Sequence, residues 1–211
     1  MLILLEILSQ PIVNLITGEK VMEERLSRPS NSSIKDYFST RDRNTLLRRE
    51  LHAILQSIEE SKSSRIPYNV NVTLFTLPFL CRLPLSWNGG IELVEWETSI
   101  SPFFRKAKCA IRDMQAKGLL VWADDVTADK VEMWLQAGVN GFKVEVDELR
   151  YNQSFVEHLQ ATKKPIIVER IETVEDHNMI RKLGITLAQG FYYGRPAKKE
   201  KVIPLQSASV S

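Results

Sequence analysis

Several apolar runs in this sequence contain, or end in, polar side chains of the kind that bind metal ions. The set comprises one amide, one lysine and four carboxylates, namely Asn71, Glu95, Asp124, Asp125, Lys143 and Glu169. A single carboxylate of this kind is more typical of a helix N-cap or a solvated loop. Several packed together would repel one another unless divalent cations lay among them, and oxygen ligands favour Mg²⁺ or Mn²⁺ over Zn²⁺. Because such paired cations support in-line attack of water on a phosphodiester, the set predicts a hydrolytic two-cation site.

The apolar run at 91–95 offers two glutamates for this site, Glu92 and Glu95. We favour Glu95 as the metal ligand because it ends the run, where other candidate carboxylates also lie. Glu92 lies inside the run and remains the alternative.

Short apolar runs alternate with helix-period segments along the chain, a pattern that predicts strands and helices taking turns. Helices are predicted over 43–61 and 149–162, and strands are predicted over 119–123, 142–146 and 165–168. About eight strands with intervening helices fit a single α/β domain, a TIM-type (β/α)8 barrel, whose strands would carry the candidate ligands to one mouth. A doubly wound α/β sheet remains the alternative, although the sequence has no glycine-rich phosphate loop to support it.

Composition limits the class of protein. The chain has 211 residues, with 28 Lys and Arg against 26 Asp and Glu, and the resulting charge of +2 argues against capture of duplex nucleic acid. Cys81 and Cys109 have no paired spacing, which is typical of a reducing cytoplasm rather than a disulfide framework. The apolar segment 1–8 is short and contains Glu6, so we expect neither membrane insertion nor a signal peptide. These features predict a cytoplasmic protein.

Seven short motifs follow one another along the chain: Gln10-Pro-Ile-Val13, Glu24-Arg-Leu26 with Arg28, Val70-Asn-Val-Thr73, Ala123-Asp-Asp125, Phe142-Lys-Val144, Val168-Glu-Arg-Ile-Glu-Thr173 and Gln189-Gly-Phe-Tyr-Tyr-Gly-Arg-Pro196. Their order closely resembles the EAL-domain family, the phosphodiesterases that linearise cyclic di-GMP. The last motif is the most specific of them. The resemblance implies a modified TIM-type barrel over residues 1–196, often dimeric, followed by a tail over 197–211 whose end we expect to be disordered.

The resemblance also implies a role for each matched residue. The metal ligands would be Glu24, Asn71, Glu95, Asp124, Asp125 and Glu169, with Asp124 bridging the two cations. Lys143 matches the lysine that holds the attacking water, and it forms the catalytic set together with Glu24 and Glu169. Gln10, Arg28 and Gln189 match residues of the mouth that bind the dinucleotide.

The chain departs from the family pattern at four places. Arg25 replaces a small residue of the signature motif, and Thr98 stands where the family has a glutamate three positions after the Glu95 equivalent. The loop after the paired aspartates reads Val126-Thr-Ala-Asp129 instead of the family's Phe-Gly-Thr-Gly pattern. Arg170 replaces the glycine that follows the late metal-binding glutamate.

Two functions remain open at this stage. The retained ligands favour an enzyme that hydrolyses cyclic di-GMP to linear pGpG with two Mg²⁺ or Mn²⁺ ions, at a reduced rate. The four departures favour a degenerate domain that acts as a cyclic di-GMP receptor or a protein-interaction module. In either case we expect a homodimer, and regulation that would come from a protein partner, the ligand or expression.

Overall fold

The computed structural model describes residues 4–94 and 101–198, which form one closed barrel of eight strands. The strands are β1 (Leu5–Asn14), β2 (Lys20–Pro29), β3 (Tyr68–Thr73), β4 (Gly89–Val94), β5 (Leu120–Ala123), β6 (Gly141–Glu145), β7 (Ile166–Glu169) and β8 (Leu187–Gln189). The helices are α1 (Ile34–Phe38), α2 (Arg43–Ser61), α3 (Leu77–Leu80), α4 (Ser101–Ala116), α5 (Val131–Ala137), α6 (Val146–Arg150), α7 (Gln153–Ala161) and α8 (Val174–Lys182), with a 3₁₀ turn at Ala128–Lys130.

The strands are hydrogen-bonded in chain order, and β1 closes the barrel against β8. Strands β2 to β8 run parallel, whereas β1 is antiparallel to both of its neighbours. This arrangement confirms the predicted modified (β/α)8 barrel. Because the parallel strands all end at the same rim, the polar groups near their carboxyl ends are brought to one mouth.

The first two strands form a hairpin whose turn is fixed by Asn14. The Asn14 side-chain oxygen accepts hydrogen bonds from the backbone N–H groups of Ile16 and Thr17. The pairing register places Gln10 directly opposite Glu24, so both side chains lie on the same face of the sheet.

The larger hydrophobic core lies between the outer face of the barrel and its helices, and it includes Trp134 and Phe155. A smaller cluster comprises Ile12, Met22, Trp122 and Ile167. Gly141 makes room for this cluster, because a Cβ atom there would lie 2.4 Å from the Trp122 ring. Met22 and Ile12 are the pair next to Glu24 and Gln10 in the hairpin, so this apolar layer lies directly below the polar mouth.

Helix α2 and the strand positions agree with the sequence predictions, but three details differ. The helix predicted over 149–162 is split into α6 and α7, because the Asn152 side chain accepts from Phe155 N–H and caps a new helix. The short helices α1 and α3 were not predicted, because they have too few turns to produce an apolar stripe in the sequence. Ala197 belongs to the barrel rather than to a free tail, since it pairs with Ser9 through two backbone hydrogen bonds.

No helix in the described parts of the chain is long and apolar enough to cross a membrane.

Candidate active site

Eight of the residues singled out from the sequence meet at the mouth of the barrel. Each lies on a strand or within two residues of the end of one. They are Gln10 on β1, Glu24 on β2, Asn71 on β3, Asp124 and Asp125 after β5, Lys143 on β6, Glu169 on β7 and Gln189 on β8. Alternate residues of a strand face opposite sides, which explains why each strand contributes one or two inward-pointing polar groups between apolar neighbours.

The Lys143 side chain lies at the centre of this site and is only 1% exposed. Its Nζ lies 2.5 Å from Glu92 Oε2 and 2.7 Å from Glu169 Oε1. Glu24 Oε2 and Asp124 Oδ1 each lie 3.4 Å from the same nitrogen. One ammonium group therefore holds four carboxylates from four strands in a single cluster.

Glu24 is held at both of its oxygens by side-chain amides. Asn71 donates from Nδ2 to Oε1 at 2.7 Å, and Gln189 donates from Nε2 to Oε2 at 2.6 Å. Gln189 also approaches Gln10 Oε1 at 3.2 Å, which joins β8 to β1 above the barrel seam. The glutamate therefore has a fixed orientation, as a metal ligand requires.

Gly190 allows the Gln189 side chain to reach Glu24 at the centre of the site. A Cβ atom at this position would lie 2.1 Å from the Ile171 carbonyl oxygen, so only glycine permits the close approach between the ends of β7 and β8. The Ile171 N–H donates to the Gln189 carbonyl at 3.2 Å and secures that approach.

Asp124, Asp125 and Glu169 could bind a cation together, because each offers a carboxylate oxygen and these oxygens lie within 4.8 Å of one another. Asp124 Oδ1 is buried and lies 3.4 Å from the Lys143 ammonium. An oxygen-only set with a buried carboxylate fits a hard divalent cation such as Mg²⁺, Mn²⁺ or Ca²⁺.

The electrostatics of the cluster favour additional positive charge. Burial alone would lower the pKa of Lys143, but the carboxylates of Asp124, Glu169, Glu24 and Glu92 raise that pKa well above its ordinary value. The pKa of Glu169 is raised to about 8, chiefly by burial and further by the charges of Asp124 and Glu24, against the opposing effect of the Lys143 ammonium. Burial and the charge of Glu24 likewise raise the pKa of Glu92 well above its usual range. Fully ionised, the acids would carry more negative charge than one lysine can balance, and the raised pKa values are the consequence.

On β4, the glutamate in the cluster is Glu92, whereas the predicted ligand Glu95 and the nearby Thr98 lie outside the described residues. Glu92 is fully buried, contacts Lys143 and accepts a hydrogen bond from Asn69 Nδ2 at 3.0 Å. A charged residue inside a doubly buried strand has to find its partners inside the barrel, which accounts for the place of Glu92 in the cluster. The choice of Glu95 as a metal ligand stays a prediction.

Arg25 lies outside the cluster although it follows Glu24 directly. It pairs with Glu23 at 2.8 Å, donates to the Ser9 hydroxyl and lies 5.3 Å from the centroid of the Tyr68 ring. The alternation of side chains along β2 therefore directs this large cation away from Glu24.

Two cavities open at the mouth, of about 580 and 460 Å³. The larger extends beneath α1 and α2 to the buried side chain of Glu50, and the smaller contains Lys143, Glu169 and Gln189. The residues that line both are Leu26, Arg28, Asp124, Asp125 and Arg170. The paired aspartates thus lie between two chambers that together could hold an extended anionic ligand.

No family model matches the chain, and no curated protein matches its sequence. Solved structures do match its fold. An EAL domain protein from Listeria monocytogenes superposes with a TM-score of 0.71 at 17% identity, covering 92% of this chain and 88% of that chain.

Two further matches were solved with a ligand. BlrP1 from Klebsiella pneumoniae, in a manganese and cyclic di-GMP complex, has a TM-score of 0.74 at 18% identity over 92% of this chain and 56% of that chain. The FimX EAL domain from Pseudomonas aeruginosa, bound to cyclic di-GMP, has a TM-score of 0.74 at 16% identity over 92% of this chain and 91% of that chain.

The protein is thus a modified (β/α)8 barrel with a carboxylate and lysine cluster at its mouth. More particularly, its fold is that of the EAL domain.

Proposed function

We propose that this chain is an EAL-domain phosphodiesterase that binds cyclic di-GMP at the barrel mouth and hydrolyses it to linear pGpG, at a reduced rate, with two Mg²⁺ or Mn²⁺ ions. The observation that carries the proposal is the cluster of Lys143 with four carboxylates, whose excess negative charge calls for cations. The complexes of BlrP1 and FimX with cyclic di-GMP support the choice of ligand. Homodimer formation and a regulatory protein partner belong to the proposal without support from a described contact, and a cytoplasmic location belongs to it on the spacing of Cys81 and Cys109.

The residues that would hold the cations are Glu24, Asn71, Glu92, Asp124, Asp125 and Glu169, with Glu92 taking the place first given to Glu95. When bound, the cations would supply Lewis-acid activation of water and stabilise the charge on the leaving oxygen. Asn71 suits this role although it donates to Glu24, because an amide that donates from nitrogen still offers its oxygen.

The other residues of the mouth would position the reactants. The Lys143 ammonium would hold the attacking water near Glu169 and Asp124, the carboxylates beside it. Arg28 lines both cavities, and its planar guanidinium suits a non-bridging phosphate oxygen. Gln10 and Gln189, joined across the barrel seam, would contact the dinucleotide from the opposite side of the mouth.

A receptor that binds cyclic di-GMP without turnover is the second candidate. It is favoured by the segment after Asp125, where Val126 is buried and Thr127 leads into a short 3₁₀ turn in place of the family's glycine-containing loop. A loop that no longer supports the aspartates would reduce turnover before it reduced ligand binding, since outer contacts of metal ligands commonly change activity by about 10- to 100-fold.

The deciding experiment incubates the purified chain with cyclic di-GMP and Mn²⁺ and follows pGpG by chromatography. We expect slow formation of pGpG that increases with Mn²⁺ concentration. Binding measured by calorimetry in Ca²⁺, where we expect little turnover, separates the candidates. Binding without any pGpG would favour the receptor, and the absence of both would exclude each of them.

Arg28→Ala is expected to weaken binding of cyclic di-GMP in Ca²⁺ by about tenfold or more, because it removes a charge-assisted contact to phosphate. Calorimetry with the wild type and the variant measures this change. Arg65→Ala is the matched control, since Arg65 is exposed and precedes β3 at the opposite end of the barrel. Equal affinity of the Arg28 variant and the wild type would place the ligand elsewhere.

A further inference from the structure

Arg170 lies at the mouth of the barrel, beside the candidate active site. It follows Glu169 directly at the end of β7, and it lines both cavities of the mouth. Its backbone has φ +59°, a left-handed conformation that is sterically unfavourable for a residue with a side chain but not for glycine. Strained backbone conformations cluster at functional sites, which is a reason to look for a role of this side chain in the mouth.

The guanidinium of Arg170 is accessible to a ligand and also restrained. Its side chain is 69% exposed, and it forms an ion pair with Glu145 Oε1 at 2.8 Å. Glu145 ends β6 opposite Glu169, so the pair joins the two strands that carry Lys143 and Glu169. The ion pair uses one nitrogen of a group that has five N–H donors, which leaves others able to reach a ligand.

The charge of the mouth indicates what Arg170 would bind. Glu172 lines the smaller cavity and Glu145 pairs with Arg170, so the inner cluster is counted without them. Fully ionised, that cluster would contribute five negative charges, from Glu24, Glu92, Asp124, Asp125 and Glu169, and one positive charge, from Lys143. Two divalent cations would cancel the remaining four. A cyclic dinucleotide brings two further negative charges, one on each phosphodiester, and the arginines that line both cavities are Arg28 and Arg170.

We infer that Arg170 is a second phosphate-binding residue of the dinucleotide site, which contacts the phosphodiester that is not hydrolysed. This inference rests on the proposed function. Arg28 and Arg170 would each bind one phosphodiester, with the paired aspartates between them and one base in each cavity. The arginine thus adds an anion contact at a position where the family pattern has glycine, so it strengthens ligand retention specifically in this chain.

The test measures binding of cyclic di-GMP in Ca²⁺ by calorimetry at several NaCl concentrations. Arg170→Gly is expected to weaken binding about tenfold, as expected for loss of a contact to a charged group. The slope of log affinity against log salt concentration should become shallower by about one, because one phosphate contact is lost. Arg170→Lys should be intermediate, since an ammonium keeps the charge but lacks the planar fork.

Two comparisons make the outcome decisive. Arg170→Gly should melt close to the wild type, because the relief of the left-handed strain at φ +59° offsets the loss of the exposed ion pair with Glu145, so weaker binding cannot be attributed to unfolding. Arg65→Ala, which removes one positive charge at the far end of the barrel, should bind like the wild type.

If the wild type binds and Arg170→Gly binds equally well, the inference fails while the proposed function stands. Weaker binding with an unchanged salt slope would overturn the phosphate assignment. Failure of the wild type to bind cyclic di-GMP would remove the proposed function and this inference together.

Discussion

Lys143→Met is expected to reduce pGpG formation by about 10²- to 10⁴-fold, the range for a group that positions a proton or a nucleophile. Methionine keeps most of the side-chain volume but removes the charge that Glu92, Glu169, Glu24 and Asp124 share. The loss should appear in kcat in saturating Mn²⁺, because Arg28 and the outer parts of the mouth remain. Turnover equal to that of the wild type would show that Lys143 does not act on the attacking water.

The same variant should also be less stable when no divalent cation is present. Removing one partner of a buried ion pair costs about 3–5 kcal/mol, because the remaining charge is left buried without compensation. Urea unfolding of the metal-free protein measures this loss, and added Mn²⁺ should restore part of it by neutralising the carboxylates.

Lys62→Met is the control for that stability measurement. Lys62 also pairs with a glutamate, Glu59, at 2.5 Å, but the two side chains are 66% and 68% exposed. An exposed pair contributes about 0–1 kcal/mol, so this variant should unfold close to the wild type. Equal stability of both variants and the wild type would mean that the buried acids are not held by the Lys143 ammonium.

Asp124→Asn should weaken Mn²⁺ binding by at least about 100-fold, since replacing a ligand costs at least as much as altering the groups that support ligands. The change preserves the shape of the side chain and removes one negative charge from the oxygens shared with Asp125 and Glu169. Titration calorimetry with Mn²⁺ measures the affinity directly, without depending on turnover.

Asp147→Asn is the matched control, because Asp147 is 79% exposed and pairs only with Arg150 at 3.3 Å among the described residues. It should bind Mn²⁺ like the wild type. Full affinity in the Asp124 variant would contradict the bridging role given to this aspartate.

The barrel and most of its mouth could be predicted because both follow from local patterns. Alternating apolar runs and helical stripes predict α/β topology, and parallel strands of a barrel must bring their carboxyl ends together. We therefore expected Asp124, Lys143 and Glu169 to lie close together, and in the structure both carboxylates contact the Lys143 ammonium. Gln10 and Glu24 could be assigned to the site only through the family resemblance, because the sequence of a single strand does not show the antiparallel pairing that places them opposite each other.

The part that could not be predicted depends on which way a side chain points and on backbone conformation. Glu92 enters the barrel through the alternation of side chains along β4, and the spacing of the two glutamates in the sequence does not reveal this orientation. The left-handed conformation of Arg170 likewise has no signature in a residue type that normally avoids it. The split between α6 and α7 was also missed, because a cap at Asn152 interrupts an otherwise continuous helical pattern.

Closure of the barrel between β1 and β8 has a consequence for the order in which this protein assembles. Gln10 and Gln189 are separated by 179 positions, and Glu24 and Gln189 by 165, yet all three side chains are hydrogen-bonded at the seam. Contacts of such long sequence separation form late, because the entropy of closing the intervening loop has to be met first. A ribosome-bound chain that still lacks β8 can pair β1 with β2, but it cannot complete the cluster around Glu24. The complete mouth therefore exists only in molecules whose last strand has docked, so on the proposed function full cation affinity would report complete folding.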